Sequence, residues 1–307
     1  MHNECVIIGG GIAGLQAAIQ LGRYQHKVMV IDSGYGRSTL CRSYHNLLGW
    51  PEGVSGDELR KLGRQQAEKL GVQFLDDEVV ELTKNQNGFT VKLKDNADSD
   101  YTSQTLLLAT GVLDRFPPLP HLEQCLGLTI YVCPDCDGYE IQGKRTIVLG
   151  SGEAGVNMAL ALTYWTNHLV YVNHEQREIS EASKEILKQE NIYYLAEPIE
   201  KVLVEQEGVF RGVQLKNGQE IAAERGFISF GGNEVKTTLA HQLGVERMEN
   251  SHILTDPRTK ETNIPNVWAA GDIGVHSEQV TIAMGEGSQA AIWIHKKLLH
   301  GLAANTH

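Results

Sequence analysis

Short apolar runs recur along the chain, and the way each one ends predicts the elements. Val6-Ile7-Ile8 is an apolar run, followed by Leu15, Ala17, Ala18, Ile19 and Leu21 at helical spacing, and then by a second run from Lys27 to Ile31 that stops at Asp32. The order predicts strand, helix, strand. It returns at Ile147-Val148-Leu149, with a helix through Val156 to Ala161 and a strand from Leu169 to Val172. Between the two copies, Phe89 to Leu93 alternates after an Asn87-Gly88 turn, and Leu106-Leu107-Leu108-Ala109 is a continuous apolar run ending at Thr110-Gly111. Such a run reads as a strand buried on both faces. Gly208 to Leu215 and Glu220-Ile221 flank a hairpin turn at Asn217-Gly218, and residues 279–300 read as a long final helix. Phe116 to Pro120, with three prolines, marks a linker. The class is α/β, with two Rossmann-like three-layer domains.

What joins strand to helix is the same in both copies. Gly9-x-Gly11-x-x-Gly14 follows the first strand, and Gly150-x-Gly152-x-x-Gly155 follows the second, 141 residues further on. Strand, glycine turn, helix, strand and acid is the context that a dinucleotide demands: the glycines let the helix N-terminus approach a pyrophosphate, and the acid accepts from a ribose hydroxyl. Asp32 is that acid in the first copy, whereas the corresponding position in the second is Asn173, an amide. Gly285 and Gly287 inside the final helix each cost about 1 kcal/mol relative to alanine in an exposed helix interior, so close packing or ligand approach is expected there.

Composition narrows the function classes. With 38 acidic against 27 basic residues the net charge is −11, which disfavours nucleic acid and anionic lipid as partners. Glycine makes up 32 of 307 residues, an excess without low complexity, consistent with tight turns and close ligand approach. No window reaches the roughly 18 apolar residues of a membrane span. The first strand begins within a few residues of Met1, so no signal peptide and a cytoplasmic location are expected.

Five cysteines are too few and too scattered for a secreted disulfide framework, but Cys133-Pro134-Asp135-Cys136-Asp137 is a candidate centre of covalent chemistry. Two thiols separated by two residues can close a disulfide without long-range chain motion. A zinc half-site would need a second Cys/His pair, and Cys5, Cys41 and Cys125 do not supply that spacing, so no metal is expected. A structural disulfide or two inert core thiols are the remaining bland readings. The redox reading is preferred to them.

Taken in order, the glycine turn at Gly9, Ala109-Thr110-Gly111, Cys-x-x-Cys-Asp-Gly at 133–138, the second glycine turn at Gly150 and Ala270-Gly271-Asp272 resemble the low-molecular-weight thioredoxin reductases over essentially the whole chain. The resemblance implies a discontinuous FAD-binding domain, 1–113 plus 244–307, and an inserted NAD(P)-binding-like domain, 114–243, that carries the dithiol. It implies a homodimer and a thioredoxin-like protein or small dithiol/disulfide as partner. FAD would be held by Gly9, Gly11, Gly14, Asp32, Val79, Thr110, Gly111, Gly271, Asp272, Gln279 and Val280. His45 and Asn46 are further candidates, in a segment that matches the family's flavin loop loosely. Cys136 would be the flavin-proximal thiol, Cys133 the thiol that attacks a partner disulfide and Asp137 the general acid–base. Cys41 reads as a small buried residue, and Trp165 as packing.

The chain departs from the family after its second glycine turn. The three arginine positions that would grip a 2′-phosphate hold His174, Glu175 and Ile179. A second nucleotide-like site at Gly150, Gly152, Gly155, Asn173 and Glu175 is therefore not expected to bind NADPH with ordinary affinity. Three electron sources stay open: NADH, with Glu175 on its ribose; ferredoxin or a second flavin, with the inserted site vestigial; or a dithiol substrate oxidised through FAD by oxygen, as in the gliotoxin and holomycin dithiol oxidases. The last group shares Cys-x-x-Cys-x-Gly-Tyr-Glu, here Cys133 to Glu140, but usually has His where this chain has Asp137. A non-catalytic FAD-binding redox sensor is the alternative from a different class. A ferredoxin–NADP reductase-like enzyme is disfavoured, because those relatives lack the cysteine pair.

Overall fold

The computed structural model describes residues 2–96, 100–206, 208–275 and 277–304. The chain forms two compact units, one of residues 1–39, 56–113 and 234–307, the other of residues 40–55 and 114–233.

In the first unit the strand His2–Ile8 lies at the centre of a seven-stranded sheet, parallel to Val28–Asp32 on one side and to Tyr101–Leu108 on the other. The register sets Ile7 beside Val30 and Leu107. Gln73–Asp76 and Val267–Ala269 extend the parallel part, and the hairpin Val79–Asn85 with Gly88–Leu93 adds antiparallel strands. Successive side chains point to opposite faces, and both faces are buried, which is why these strands are apolar without alternation. Cys5, Ile7, Val30 and Leu107 pack on the helices Ile12–Arg23 and Val280–Ala304, through Ala17, Ala18, Ala290 and Ala291. Val6, Ile8, Ile31 and Leu108 face the hairpin side, against Phe89, Val91 and Ala240.

The second unit repeats the plan. Its five-stranded sheet is parallel throughout, in the order Tyr193–Leu195, Leu169–Asn173, Thr146–Gly150, Arg225–Ser229 and Ile130–Tyr131. Val148, Tyr171 and Phe227 pack on the helices Gly152–Leu162 and Glu181–Gln189, while Ile147, Leu149 and Ile228 meet a three-stranded antiparallel sheet through Val202, Phe210 and Val213. The final helix runs Val280–Ala304, beginning one residue later than expected and reaching further.

The unit boundaries differ from the expected division at two places. Residues 234–243 belong with the first unit, because Glu234-Val235 pair antiparallel with Leu113 and Val112. The Gln242 side chain also accepts from Leu82 N–H at 2.8 Å and donates to Val80 O at 3.0 Å. Residues 40–55 belong with the second unit: Arg42 N–H donates to Gly127 O at 3.3 Å and its guanidinium to Gln124 O at 3.0 Å. Gly127, at φ +72°, has no room for a Cβ between Leu40 O and Cys41, so this seam admits only glycine.

Candidate functional site

The first glycine turn is built for close backbone contact. A Cβ on Gly9 would strike Ala109 O and one on Gly14 would strike Gly9 O, whereas Gly11 has nothing within 4 Å. Gly11 is the N-cap of helix Ile12–Arg23 and has no side-chain cap, so the leading amides of the helix face that open side. This cradle fits a pyrophosphate, whose charge the helix dipole favours. Gly10 N–H donates to Asp32 Oδ1 at 2.9 Å, and Arg60 donates to Asp32 Oδ2 at 2.6 Å. A carboxylate has about four lone-pair positions, so Asp32 keeps acceptor capacity for a ribose hydroxyl.

Other predicted residues of the first unit gather round the same sheet end. Thr110 Oγ1 donates to Lys236 O at 2.5 Å, and Lys236 N–H donates back to Gly111 O at 3.0 Å. Gly271, at φ +81°, would meet Ala13 Cβ at 2.8 Å if it carried a side chain. Asp272 lies 3.5 Å from Arg37, which also pairs with Glu278. Gln279 immediately precedes the final helix, and Val280 begins it. Val79 is buried in the core, paired with Leu93. His45 and Asn46 are exposed and lie in segment 40–55, within the other unit. Arg37 and Arg60 carried no motif signal. Only the fold brings them to Asp272 and Asp32.

The dithiol sits at a short helix, Pro134–Asp137, with Cys133 as N-cap and Pro134 at its first position, where a missing N–H costs nothing. Asp137 N–H donates to Cys133 O at 3.0 Å. Both cysteines are free thiols. The Cys136 S–H bonds to the Cys133 sulfur, and with the Cys136 backbone N–H this holds the Cys133 thiol below its usual range. Burial, Asp137 and Asp135 act against that shift. Cys136, the donor of that bond and itself half-buried, is pushed well up. The first proton of the pair therefore leaves far more easily than the second. Burial, reinforced by Glu140, pushes the Asp137 carboxyl up to about 7. This is the range a general acid needs near neutrality. Cys41 is half-buried, and its thiol is pushed up to about 12 by burial and next by the charge of Asp137. The expectation of a small buried residue is thus corrected in one respect: the 40–55 segment carries Cys41 into the field of Cys133 and Asp137.

The second glycine turn is filled by its own chain. Gly155 packs against the Tyr171 ring, and Tyr171 Oη donates to Gly152 O at 2.7 Å. A Cβ on Gly11 would meet nothing within 4 Å, whereas one on Gly152 would lie 3.3 Å from the Arg177 side chain. Asn173 is fully buried; it accepts from Gly152 N–H at 3.1 Å and donates to Arg177 O at 2.7 Å and Tyr194 Oη at 3.0 Å. The three positions where arginines would stand supply no cation. Burial lowers the His174 pKa and its Nδ1 accepts from Ile199 N–H at 2.8 Å; Ile179 is in the core. Glu175, the candidate ribose contact, is engaged by the protein's own cations. Arg115 reaches it at 2.6 Å and Arg177 at 3.1 Å, so the acid is neutralised by two guanidiniums. Trp165 packs beside Gly138, as expected.

Two parallel α/β units, one glycine cradle open to a dinucleotide and a thiol pair with a perturbed carboxyl define a flavoprotein disulfide oxidoreductase. The profile of the pyridine nucleotide-disulphide oxidoreductase family matches residues 3–287, and the chain belongs to that family, as an FAD-dependent, thioredoxin reductase-like enzyme. It is 30% identical to the thioredoxin reductase of Coxiella burnetii over 95% of both chains. Among solved structures it is similar to HlmI, with a TM-score of 0.86 and 27% identity, covering 99% of this chain and 95% of that one. It is also similar to the atypical thioredoxin reductase TRi of Desulfovibrio vulgaris Hildenborough, with a TM-score of 0.52 and 29% identity over 96% and 98%. No helix among the described residues is long and apolar enough to cross a membrane.

Proposed function

We propose that the enzyme reduces the disulfide of a thioredoxin-like protein through Cys133 and Cys136, with FAD held by the first unit. The observation that carries this reading is the hydrogen-bonded thiol pair next to a carboxyl raised to about 7. FAD, when bound, supplies the two-electron chemistry that returns the pair to the dithiol. The Cys133 thiolate attacks one sulfur of the partner disulfide, forming a mixed disulfide and breaking the partner's S–S bond. Asp137, protonated, gives its proton to the departing partner thiolate. The same carboxylate then takes the Cys136 proton, and Cys136 attacks the Cys133 sulfur. The second partner sulfur leaves as a thiolate and takes from Asp137 the proton drawn from Cys136, and Cys133–Cys136 becomes the disulfide. The partner gains two electrons from the enzyme's sulfurs and two protons, one first held by Asp137 and one by Cys136. Tyr139 is 74% exposed beside the pair and gives a protein partner an aromatic contact.

NADPH is not the ordinary electron donor in this reading. Neutral His174, the commitment of Arg115 and Arg177 to Glu175, and core-bound Ile179 support that, as does the Arg177 side chain beside Gly152. A second reading runs the same exchange backwards, with a small dithiol oxidised and oxygen as final acceptor. Its support is Cys-x-x-Cys-x-Gly-Tyr-Glu at 133–140. Anaerobic titration separates the two. The reductase reading expects a reduced enzyme to pass electrons to a thioredoxin disulfide, and Cys136→Ser to abolish this while FAD stays bound. Normal turnover in that variant would sink both readings. Bleaching of the flavin by small dithiols alone, with no transfer to a protein disulfide, selects the oxidase.

A further inference from the structure

The turn at Gly271-Asp272 is held by a buried ion pair that no motif announces. Glu286 stands in the final helix between two glycines, and Gly287 passes so close to Ala13 O that a side chain there would collide. The Glu286 side chain is only 10% exposed. Its Oε2 accepts from Gly271 N–H at 3.0 Å and its Oε1 accepts from Lys260 Nζ at 2.8 Å. A buried carboxylate is costly unless it is paired and its lone pairs are satisfied, and here both conditions are met.

Lys260 gives an independent sign that the pair is there for a purpose. Its backbone is left-handed, at φ +63°, where glycine and asparagine are favoured and a long side chain is strained. The surrounding turn closes without the ammonium. Asp256 Oδ1 accepts from Arg258 N–H at 3.0 Å and Thr259 N–H at 2.7 Å, and Asp256 N–H donates to Glu261 O at 2.9 Å. Nothing in that turn calls for lysine. The ammonium, carried inward to 15% exposure, does its work on Glu286.

We infer that Glu286 and Lys260 are positioning residues for the flavin. Lys260 fixes the Glu286 carboxylate, and Glu286 fixes Gly271 N–H, so that Asp272 is presented in one orientation beside the helix that follows the first glycine turn. The inference rests on the reading of Gly271-Asp272 as part of the FAD site.

The test is FAD titration of the apoprotein, followed by flavin fluorescence, with the visible circular dichroism of the bound flavin recorded alongside. Glu286→Ala and Lys260→Asn are each expected to raise the FAD Kd at least fivefold and to alter the flavin dichroism. Glu286→Gln, which keeps an acceptor for Gly271 N–H but turns its amide NH2 toward the Lys260 ammonium, is expected to raise the Kd less than Glu286→Ala does. A Lys260→Asn protein with a raised Tm and an FAD Kd within fivefold of wild type would show a plain turn residue and overturn the inference, as would equal losses in Glu286→Gln and Glu286→Ala. If Glu286→Ala does not fold, as judged by far-ultraviolet circular dichroism, Lys260→Asn decides alone. A wild-type apoprotein that takes up no FAD sinks the flavin reading itself, whereas tight wild-type binding with indifferent variants sinks only the roles of Glu286 and Lys260.

Discussion

Trp165 rests against Gly138, its ring atoms occupying the place 2.5 Å from where a Cβ on that glycine would stand. Gly138 directly follows the helix that carries the dithiol, so the indole sets the seat of Cys136 and Asp137. Gly138→Ala is expected to push that helix off Trp165 and to slow thiol–disulfide exchange by about tenfold, the order of effect that a misplacement of under 1 Å produces. Adding Trp165→Leu, which opens space, should restore most of the rate. Stopped-flow reduction of a protein disulfide by the dithiol form measures both.

Asp137 makes the chemistry and the stability respond to pH together. Its carboxyl is raised from the ordinary carboxylate range to about 7 in the folded chain. The native state therefore binds a proton that the unfolded chain lacks between about pH 4 and pH 7. Stability from this group is fully present below pH 4 and is lost as pH rises through 7. Asp137→Asn removes that dependence. Its Tm should exceed that of wild type at pH 8.5 by a few degrees and show little gain at pH 4. Its exchange rate should fall about 100-fold and lose the inflection near pH 7, as read from the pH–rate profile.

The thiols should alkylate in a fixed order. Cys133 is held below its usual range by the Cys136 S–H, while Cys41 is pushed up to about 12 and buried Cys5 likewise to about 12. At pH 7.5 iodoacetamide is expected to modify Cys133 first, with Cys5 and Cys125 protected until the chain unfolds. Cys136→Ala should slow Cys133 labelling several-fold, because the stabilising S–H is gone. Peptide mass spectrometry over a time course gives the order directly. Labelling of Cys41 ahead of Cys133 would contradict it.

Glu175 should control which nicotinamide coenzyme the second unit tolerates. Arg115 and Arg177 are both committed to its carboxylate. Glu175→Gln is expected to release the guanidiniums and tighten NADPH binding about tenfold, the worth of one charge-assisted contact. NADH binding should change much less. Flavin reduction followed with each coenzyme over a concentration series checks this, and fast reduction of the wild type by NADPH would overturn the reading of residues 174–179.

Local sequence determined a good deal of this protein. The glycine turns at 9–14 and 150–155, the apolar runs that became central strands and the Cys133–Cys136 spacing are all short-range features, because strand and turn preferences are set by a residue and its close neighbours. The same is true of the Pro134 helix start and the Asn217-Gly218 turn. None of these needed a partner from elsewhere in the chain.

Tertiary structure alone decided which charges meet. Arg115 lies 60 residues from Glu175, Arg60 lies 28 from Asp32, and Lys260 lies 26 from Glu286, and no periodicity links the members of any pair. Segment 40–55 falls within the expected first division, 1–113, yet it packs with the second unit because Gly127 leaves room for the Leu40–Cys41 backbone. The two glycine turns show the division most clearly. In sequence they are alike. In the fold a Cβ on Gly11 would meet open space and one on Gly152 would lie beside the Arg177 side chain, because the path of the chain after Asn173 is fixed by its buried hydrogen bonds to Gly152, Arg177 and Tyr194. Pattern specifies what each segment can be, and the packing of segments distant in sequence settles what each site can hold.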